Sequence, residues 1–299
     1  MNNLTDLTVI LVTYKTNYQI LYNCINSIHK DIKIINVENS DNINHKNEIE
    51  KKYKNVEVIL SGTNLGYGAG NNLGIKLAKT NYILISNPDT VYDNKFFNHL
   101  NNYLTQELNF SIIGTSYSDE TYLPYGSFDL KLTNKMKNKS YDSNNLKEVD
   151  WVVGCSMIIN LKKIMFKPLF DENIFLFFDE TDLCKRVKKI GGKVFNSSIL
   201  IVEHLGHKSS IAANPENKIL SEKLRNWHYM WSSFYYHKKH YSYLYSLNKN
   251  FGKLIRSLFK MFYFRLKKNE LKSTIYKFRF LGLINSMLGK KSWYRPKIY

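Results

Sequence analysis

Three carboxylates stand close together at Asp179, Glu180 and Asp182, directly after the aromatic pair at 177–178. Helix chemistry explains Asp179 and Asp182, because acidic side chains cap a helix and stabilise its first turn. Glu180 is not needed for either task. Neighbouring carboxylates and burial against aromatic rings both disfavour ionisation of a carboxyl group, which is how a general base is made. The cluster therefore predicts a general base at Glu180.

A single carboxylate, Asp89, follows a predicted strand. Pro88 forces Asn87 into an extended conformation, which leaves Asp89 at the strand tip. Mg²⁺ is commonly held by one or two protein carboxylates together with substrate phosphate oxygens, so Asp89 is a candidate ligand for a divalent cation. His204 and His207 follow a later strand, but their spacing alone is weak support for zinc, and surface histidines are the commoner outcome.

A glycine-rich segment at 64–74 opens a predicted helix. It has neither the spacing of a dinucleotide-binding fingerprint nor the Gly-Lys-Ser/Thr of a P-loop, which disfavours both sites. Two interpretations of the glycines stay open. They allow close packing and helix capping, or they allow backbone and Asn amides to approach a nucleotide sugar. Polar clusters at 13–15 and 38–41 follow the first two predicted strands, where side chains from several parallel strands can line one crevice.

Short apolar runs alternate with amphipathic stretches up to residue 114. The pattern predicts strands at 9–12, 32–37, 56–60, 82–86 and 110–114, and helices at 20–28, 47–53, 70–78 and 96–104. Because the strands are continuously apolar, we expect an α/β fold with a mainly parallel sheet covered on both faces. Ligands on such a sheet bind beyond the carboxyl ends of the strands, where the polar clusters lie.

The pattern becomes irregular after residue 115. The segment 116–147 predicts a long loop or insertion, and beyond it lie a strand at 151–159, a short helix near Lys162, a helix at 181–190 and strands near Val194 and Ile199. A boundary near Asn214–Pro215 divides the chain into a first domain at 1–214 and a helical region at 215–299. Apolar residues from Phe251 to Leu266 recur there at helical spacing with Lys and Arg between them.

Charge is distributed unevenly along the 299 residues. Residues 1–217 hold 24 Lys and Arg against 23 Asp and Glu, whereas residues 218–299 hold 19 against 2. The second stretch also carries 20 of the 43 Phe, Trp and Tyr residues. Basic and aromatic side chains together suit the headgroup zone of an anionic bilayer, so we expect peripheral membrane binding by this region. Ordinary packing on the first domain is the alternative.

Composition excludes several protein classes. Gly and Pro are few at 14 and 5, which disfavours disordered and fibrous chains. Cys24, Cys155 and Cys184 fit no C-x-x-C pattern, which argues against a disulfide framework and a zinc knuckle and favours buried thiols in a reducing compartment. No basic region precedes the short apolar run at 7–12, and no window reaches the roughly 18 apolar residues of a membrane span. We expect a cytoplasmic protein.

The motifs together resemble those of bacterial family-two inverting glycosyltransferases, and within them the rhamnosyltransferase-like branch that builds surface polysaccharide. The resemblance covers residues 8–210, and the motifs stand in the order of the family. They are Val12-Thr13-Tyr14, Glu38-Asn39-Ser40, Asn64-Leu65-Gly66-Tyr67 with Asn71-Asn72, Asn87-Pro88-Asp89, Trp151-Val152-Val153-Gly154, Asp179-Glu180-Thr181-Asp182-Leu183 and 204–209.

This resemblance implies a GT-A fold and a nucleotide-diphosphate sugar donor. It also implies a saccharide acceptor on a lipid carrier at the inner face of the plasma membrane, and a divalent metal, Mg²⁺ or Mn²⁺. Three positions are expected to be catalytic: Glu180 as the base, with Asp179 and Asp182. The expected donor-binding residues are Thr13, Tyr14, Glu38, Asn39, Asn64, Gly66, Asn72, Asn87, Asp89 and His204, of which Asp89 and His204 also lie at the metal.

Two positions depart from the family pattern. Position 38 is Glu where the family usually has Asp, and the acidic pair is Asp-Glu rather than Glu-Asp. The first departure leaves open an altered donor preference, and the second leaves Asp179 as the alternative base.

Two other functions remain open from the residues. A sugar nucleotidyltransferase also combines a nucleotide-binding sheet with acidic metal ligands, and it would release pyrophosphate. A nucleic-acid-binding protein could use the basic aromatic region to contact phosphates and stack bases. The near-neutral charge of residues 1–217 argues against the first domain joining such an interface, and no nucleic acid is expected as a partner.

Overall fold

The computed structural model describes residues 3–106, 108–119, 123–204 and 218–296. The chain forms two compact units, one of residues 1–170 and 180–209, the other of residues 171–179 and 210–299. The predicted boundary at 214 falls outside the described residues and stays a prediction. That division placed 171–179 in the first domain, whereas this segment clusters with the second unit.

The first unit contains a large sheet and a short two-stranded ribbon. The strands are β1 (Leu7–Thr13), β2 (Lys33–Glu38), β3 (Val56–Leu60), β4 (Tyr82–Ser86), β5 (Thr90–Tyr92), β6 (Ile112–Tyr117), β7 (Tyr125–Gly126), β8 (Leu146–Glu148), β9 (Trp151–Val152), β10 (Ser156–Asn160) and β11 (Val194–His204). The large sheet has the order β3-β2-β1-β4-β10-β6-β11-β5, with β8 beside β11, and β7 pairs with β9.

Strand direction divides the large sheet into two halves. β3, β2, β1 and β4 are parallel, as the alternating pattern predicts. β10 runs antiparallel to both β4 and β6, while β11 is parallel to β6 and antiparallel to β5. The sheet is therefore mixed, and its parallel half carries the strands whose carboxyl ends bear the polar clusters.

Helices cover both faces of this sheet. The helices of the chain are α1 (Tyr18–Ser27), α2 (Ile43–Lys52), α3 (Tyr67–Leu77), α4 (Phe96–Thr105), α5 (Leu130–Asn138), α6 (Asp179–Lys189), α7 (Lys218–His240), α8 (Tyr243–Leu266) and α9 (Glu270–Met287). Side chains alternate in direction along β4, since Leu84 joins the core beneath α1, α2 and α4, while Ile83 and Ile85 join the core beneath α3 and α6. Both faces are thus apolar, as the continuous strands require.

Three local predictions were wrong. The segment 116–147 was predicted as a long loop or irregular insertion, without regular elements, but it contains β7 and α5, a nine-residue helix too short for its periodicity to stand out. The single strand predicted at 151–159 is interrupted between β9 and β10. The two strands predicted near Val194 and Ile199 are one strand, β11, whose register with β6 shifts between Asn196 and Ile201.

The second unit is helical, as predicted. Met230 and Phe234 of α7 pack with Leu283 of α9 in a small apolar core. Gly282 permits this contact, because a Cβ there would lie 2.1 Å from the carbonyl oxygen of Trp227. Within the described ranges, no helix has both the length and the apolar character that crossing a bilayer requires.

Candidate functional site

Parallel pairing brings three predicted polar clusters to one edge of the sheet. β1 lies between β2 and β4, and the register places Thr13 directly beside Glu38. β4 ends at Ser86, immediately before the turn that carries Asp89. The carboxyl ends of these neighbouring strands therefore border the same crevice, as expected of a parallel sheet.

The turn that carries Asp89 is anchored by one backbone carbonyl. The Cys155 oxygen accepts hydrogen bonds from the Asn87 amide at 2.8 Å and from the Thr90 hydroxyl at 3.2 Å. β5 follows the turn and pairs with β11 so that Thr90 faces His204. His204 Nε2 consequently lies 3.3 Å from Oδ1 of the buried Asp89. Strand pairing thus joins the two predicted metal ligands, which are far apart in sequence.

Asp89 and His204 form a donor set of one carboxylate and one imidazole. Such a set suits Mn²⁺ or Mg²⁺ when phosphate oxygens and water complete the coordination. Among the described residues, no group of three or more His, Cys, Asp or Glu side chains is arranged to hold a metal on its own. The residues present therefore fit a cation shared with a bound diphosphate, and they do not form a closed structural metal site.

Tyr117 connects this pair to the acidic cluster. Its ring stacks on His204 with centroids 6.0 Å apart, and its hydroxyl lies 3.2 Å from Cys155 Sγ. Burial raises the pKa of Tyr117 most, and the nearby Cys155, Glu180 and Asp89 raise it further. The backbone gives the geometric link, because a Cβ on Gly154 would lie 3.5 Å from the Glu180 Cβ, and the adjacent Cys155 carbonyl anchors the turn of Asp89. Glu180 and the turn of Asp89 therefore lie on either side of the same two residues in the first unit.

Glu180 is the second residue of α6 and is partly buried. Desolvation by burial raises the pKa of its carboxyl group. A Cβ placed on Gly154 would lie 3.5 Å from the Glu180 Cβ and 3.0 Å from the Tyr67 hydroxyl, which donates to the Gly154 carbonyl. Glycine at 154 therefore permits close approach of the start of α3 and the start of α6.

The backbone before α6 is strained. Phe177 and Phe178 both have a φ of 67°, in the left-handed region that bulky residues rarely adopt. Each such residue costs on the order of 1–3 kcal/mol and persists only where its surroundings fix it. The Phe178 ring lies 5.3 Å from the Tyr236 ring within the second unit. The chain therefore enters α6 through a strained turn directly before Asp179, which is buried and is the first residue of the helix.

The Glu38 carboxylate is held by two hydroxyl groups. Thr13 Oγ1 donates to Oε2 and Ser40 Oγ donates to Oε1, both at 2.6 Å. Asn36 in turn donates to Thr13 Oγ1 at 2.9 Å, and its Oδ1 lies 2.9 Å from His45 Nε2. Because an amide oxygen only accepts, His45 carries its proton on Nε2. A buried hydrogen-bonded chain therefore fixes the orientation of Glu38.

The surroundings of His45 favour its neutral form. Burial lowers its pKa, which outweighs the opposite effect of Glu38, 3.8 Å away. The Asn42 side chain caps α2 by accepting from the His45 amide, which places the imidazole at the first turn of the helix. The ring stacks on Tyr18 at 5.6 Å.

The glycine-rich segment serves both packing and the crevice. Cβ atoms placed on Gly70 and Gly74 would lie 2.9 and 2.6 Å from side chains of β1, so glycine is required for α3 to approach the strand. Asn64 Oδ1 accepts from the Gly66 amide, and Asn39 Nδ2 donates to the Gly66 carbonyl at 3.0 Å. Asn39 Oδ1 is buried and has no hydrogen-bond partner within the described part of the chain.

Two predicted site residues are engaged by the protein itself. Asn72 donates to the carbonyl oxygen of Phe170 and accepts from its amide, at 2.9 and 3.0 Å. Asp182 is fully buried and accepts from Arg186 Nε at 2.8 Å, one turn along α6. These contacts hold the segment before residue 171 and the first turns of α6. Tyr14 and Asn87 are partly buried at the crevice edge, whereas His207 lies outside the described residues.

Sequence reasoning missed four residues of the site, namely Asn36, His45, Tyr117 and Cys155. Asn36 is a polar residue inside an apolar strand, and this interruption of the apolar pattern could have indicated a functional position. His45 and Ile49 are the buried positions of α2, one turn apart, so a histidine on the core-facing side of a helix could have been noticed. Nothing in the sequence pairs Tyr117 with His204, because strand pairing across the mixed half of the sheet brings them together.

Residues 8–165 match the family described as glycosyl transferase family 2. The chain belongs to this family. The match covers the parallel half of the sheet, the turn of Asp89 and the interrupted strand before Gly154. Glu180 and His204 lie beyond it in sequence and reach the same site through α6 and β11.

A curated relative agrees with this membership, and a solved structure shares the fold. The family 2 chain is 27% identical over 203 residues to the low-salt glycan biosynthesis hexosyltransferase Agl10 of Haloferax volcanii, and the match spans 62% of each chain. It also resembles a crystal structure of GalNAc-T7 with UDP, GalNAc and Mn²⁺. The TM-score is 0.55 at 13% sequence identity, and the match covers 66% of this chain and 43% of the GalNAc-T7 chain. The structural likeness shows the GT-A fold that the motifs imply.

Proposed function

We propose that this family 2 glycosyltransferase transfers a hexose from a nucleoside diphosphate to a saccharide acceptor with inversion of the anomeric carbon. Rhamnose is the proposed donor sugar, on the resemblance of the motifs to the rhamnosyltransferase-like branch. A lipid-linked acceptor used in cell-surface polysaccharide synthesis at the cytoplasmic face of the membrane completes the proposal. The glycan-building hexosyltransferase from Haloferax volcanii supports the substrate class.

One observation carries the chemistry. Glu180 lies beside Gly154, and the adjacent Cys155 carbonyl anchors the turn that carries Asp89, which lies 3.3 Å from His204. Burial raises the pKa of the Glu180 carboxyl group. A carboxylate whose pKa is raised toward neutrality is a better general base, whereas a carboxylate beside an imidazole suits a cation and diphosphate. The site therefore has one side for the acceptor hydroxyl and one for the leaving group.

The reaction is a single displacement. Glu180 removes the proton from an acceptor hydroxyl, whose oxygen forms a bond to the anomeric carbon as the bond from that carbon to the diphosphate oxygen breaks. The nucleoside diphosphate leaves with the bonding electron pair, so no covalent intermediate on the protein is needed. Asp182 is proposed to position Glu180 through its ion pair with Arg186, which fixes the first turns of α6.

Donor recognition is assigned to the crevice beyond β1, β2 and β4. Thr13, Tyr14 and Glu38 are proposed to hold the nucleoside, with Asn39 contributing its buried Oδ1. Asp89 and His204 would hold Mg²⁺ or Mn²⁺, which when bound neutralises charge on the departing diphosphate. Asn64 and Gly66 shape the loop beside them, and Asn72 acts through the backbone of Phe170.

Product analysis with the full chain tests this proposal. The enzyme is incubated with a panel of nucleotide sugars, Mn²⁺ and a lipid-linked saccharide, and the released nucleotide and the anomeric configuration of the product are measured. Nucleoside diphosphate release with inversion is the expected result. Release of pyrophosphate would instead identify a nucleotidyltransferase, and retention would overturn the single displacement.

Matched amide variants test the choice of base. Glu180→Gln preserves shape and donor binding, so we expect the transfer rate to fall by roughly 10²–10⁴, the usual contribution of general acid–base catalysis. Asp179→Asn is the control, since it makes the same chemical change one residue away. An inactive Asp179→Asn with an active Glu180→Gln would move the base to Asp179. Donor binding is checked by thermal shift, where a ligand at 100 times its Kd stabilises by about 2.7 kcal/mol.

A further inference from the structure

Helix α8 has its apolar side turned outward. Leu244 is 75% exposed, Phe259 68% and Leu266 85%, and three further large apolar side chains are also exposed. The six aliphatic and Phe side chains are Leu244, Phe251, Ile255, Phe259, Phe262 and Leu266, called here the α8 stripe, and Tyr243, Tyr245 and Tyr263 of the same helix are exposed as well. Its members follow one another at intervals of seven, four, four, three and four residues, so all six project from one side of the helix.

The most deeply buried positions of α8 are polar. Its fully buried residues are Ser246, Asn250 and Ser257. Ser246 Oγ donates to the Phe234 carbonyl at 2.8 Å, and Ser233 Oγ donates to Asn250 Oδ1 at 3.1 Å. Leu247 and Leu254 add apolar contacts to the small core of this unit. Helices that pack within lipid show the same arrangement: small polar residues lie at the contacts between helices, and large apolar residues face outward.

A soluble helix normally shows the reverse orientation, with its apolar side buried. Six large apolar side chains along one helix form a contiguous patch, and such patches mark interaction surfaces. The helix is also not a membrane span, since basic residues interrupt it. Its partner must therefore lie against it from outside.

Charge identifies that partner. Helix α8 has no Asp or Glu, while Lys249 and Arg256 flank one side of the stripe and Arg265 flanks the other. A second copy of this chain would bring the same positive charge against it, which is unfavourable at short range. An anionic leaflet accepts apolar side chains into its acyl boundary and attracts each nearby Lys or Arg.

We infer that the α8 stripe is a membrane-docking surface that lies flat on an anionic lipid leaflet, with its apolar side chains in the acyl boundary and the flanking basic residues at the headgroups. This inference deepens the proposed function, on which its biological role rests, by naming the surface and the lipid charge. Binding itself needs neither donor nor acceptor, so it is measured independently of sugar transfer.

Vesicle flotation of the full chain tests the inference. We expect the protein to float with phosphatidylcholine vesicles that contain phosphatidylglycerol and to be released at about 1 M salt, where the screening length falls to about 3 Å. Phe259→Ser combined with Phe262→Ser should lower the partition coefficient at least about tenfold, because burial of one Phe side chain is worth about 1.5–3 kcal/mol. Lys249→Gln combined with Arg256→Gln should lower binding to a similar degree.

The matched control removes two exposed apolar side chains elsewhere. Met165 and Ile190 of the first unit are 96% and 53% exposed, so the double change Met165→Ser and Ile190→Ser should leave flotation unchanged. Circular dichroism verifies that each variant is folded. A stripe variant that floats like the native chain, or equal binding to vesicles of phosphatidylcholine alone, would overturn the inference.

Two further outcomes would also overturn it. If the native chain does not float but light scattering shows a dimer that the stripe variant dissociates, the surface joins two copies. If the native chain neither floats nor dimerises, the anionic leaflet is not its partner. In either case, transfer to a water-soluble acceptor would still report on the proposed function, so the two failures are distinguishable.

Discussion

Replacement of His45 by Ala should weaken nucleotide binding although His45 does not border the crevice. The change leaves the buried Asn36 Oδ1 without its donor, which costs about 1–3 kcal/mol, and removes the ring stacked on Tyr18, which is worth about 1 kcal/mol. We expect the free energy of unfolding to fall by about 2–4 kcal/mol. Asn36 can then rotate and Thr13 is no longer held on Glu38, so the Kd of a nucleoside diphosphate should rise about tenfold.

Isothermal titration with nucleoside diphosphates separates this effect from general destabilisation. Ile49→Ala is the matched control, since Ile49 is buried on the same side of α2 and its truncation costs about 2–5 kcal/mol without touching the hydrogen-bonded chain. His45→Gln keeps an N–H donor and should restore most of the affinity. Equal loss of affinity in His45→Ala and Ile49→Ala would refute the reasoning, because affinity would then follow stability alone.

Three other changes probe the rest of the site. Asp89→Asn should abolish the stimulation of transfer by Mn²⁺ while the melting temperature stays near that of the native chain; metal-stimulated turnover in the variant would remove Asp89 from the metal site. Gly74→Ala puts a Cβ 2.6 Å from Ile10 and should cost about 1–3 kcal/mol in urea unfolding, and an unchanged midpoint would show that α3 can move away. Because burial raises the pKa of Glu180, the acid limb of kcat/KM should lie above the ordinary Glu pKa of about 4.3, with activity lost as pH falls through it; a limb that persists in Glu180→Gln belongs to another group.

The parallel half of the sheet was predictable because it is made by local rules. Each strand from β1 to β4 is a continuous apolar run followed by an amphipathic helix. Because the connections between parallel strands are right-handed, only a few strand orders are possible in the sheet. The crevice follows from that order, since parallel neighbours end at one edge. The polar clusters after β1, β2 and β4 could therefore be placed together from the sequence.

The mixed half was not predictable in the same way. Three of its strands, β5, β9 and β10, are short and pair with strands that are distant in sequence. No local sequence pattern therefore predicts the register that puts Thr90 beside His204. The contact between Tyr117 and Cys155 depends on a different long-range pairing, that of β6 with β10. Family resemblance supplied His204 as a residue near the metal, whereas its distance to Asp89 needed the fold.

Hydrogen-bond partners were the least predictable feature of the site. Asn72 and Asp182 have the residue types of ligand-binding groups, yet the first is bound to the Phe170 backbone and the second to Arg186. The residue type shows that a side chain can form hydrogen bonds, but it does not identify the partner. A buried amide or carboxylate forms its hydrogen bonds with whichever group the fold brings near. His45 is the opposite case, since its type is ordinary but its burial makes it part of the hydrogen-bonded chain that orients Glu38.

Periodicity in the second unit shows a related limit. The apolar spacing from Phe251 to Leu266 predicts a helix, but it does not tell which side of that helix is buried. The period of the pattern is the same whether the apolar side faces the protein or the solvent. In the folded chain Ser246, Asn250 and Ser257 take the buried positions, and the interior hydrogen bonds of Asn250 and Ser246 offset the burial of their polar groups. The apolar side chains of the α8 stripe keep half or more of their surface in water after folding and would gain free energy from removing it. That difference favours a surface that supplies an apolar medium beside negative charge, and it connects the basic composition of this unit to the proposed acceptor on a lipid carrier.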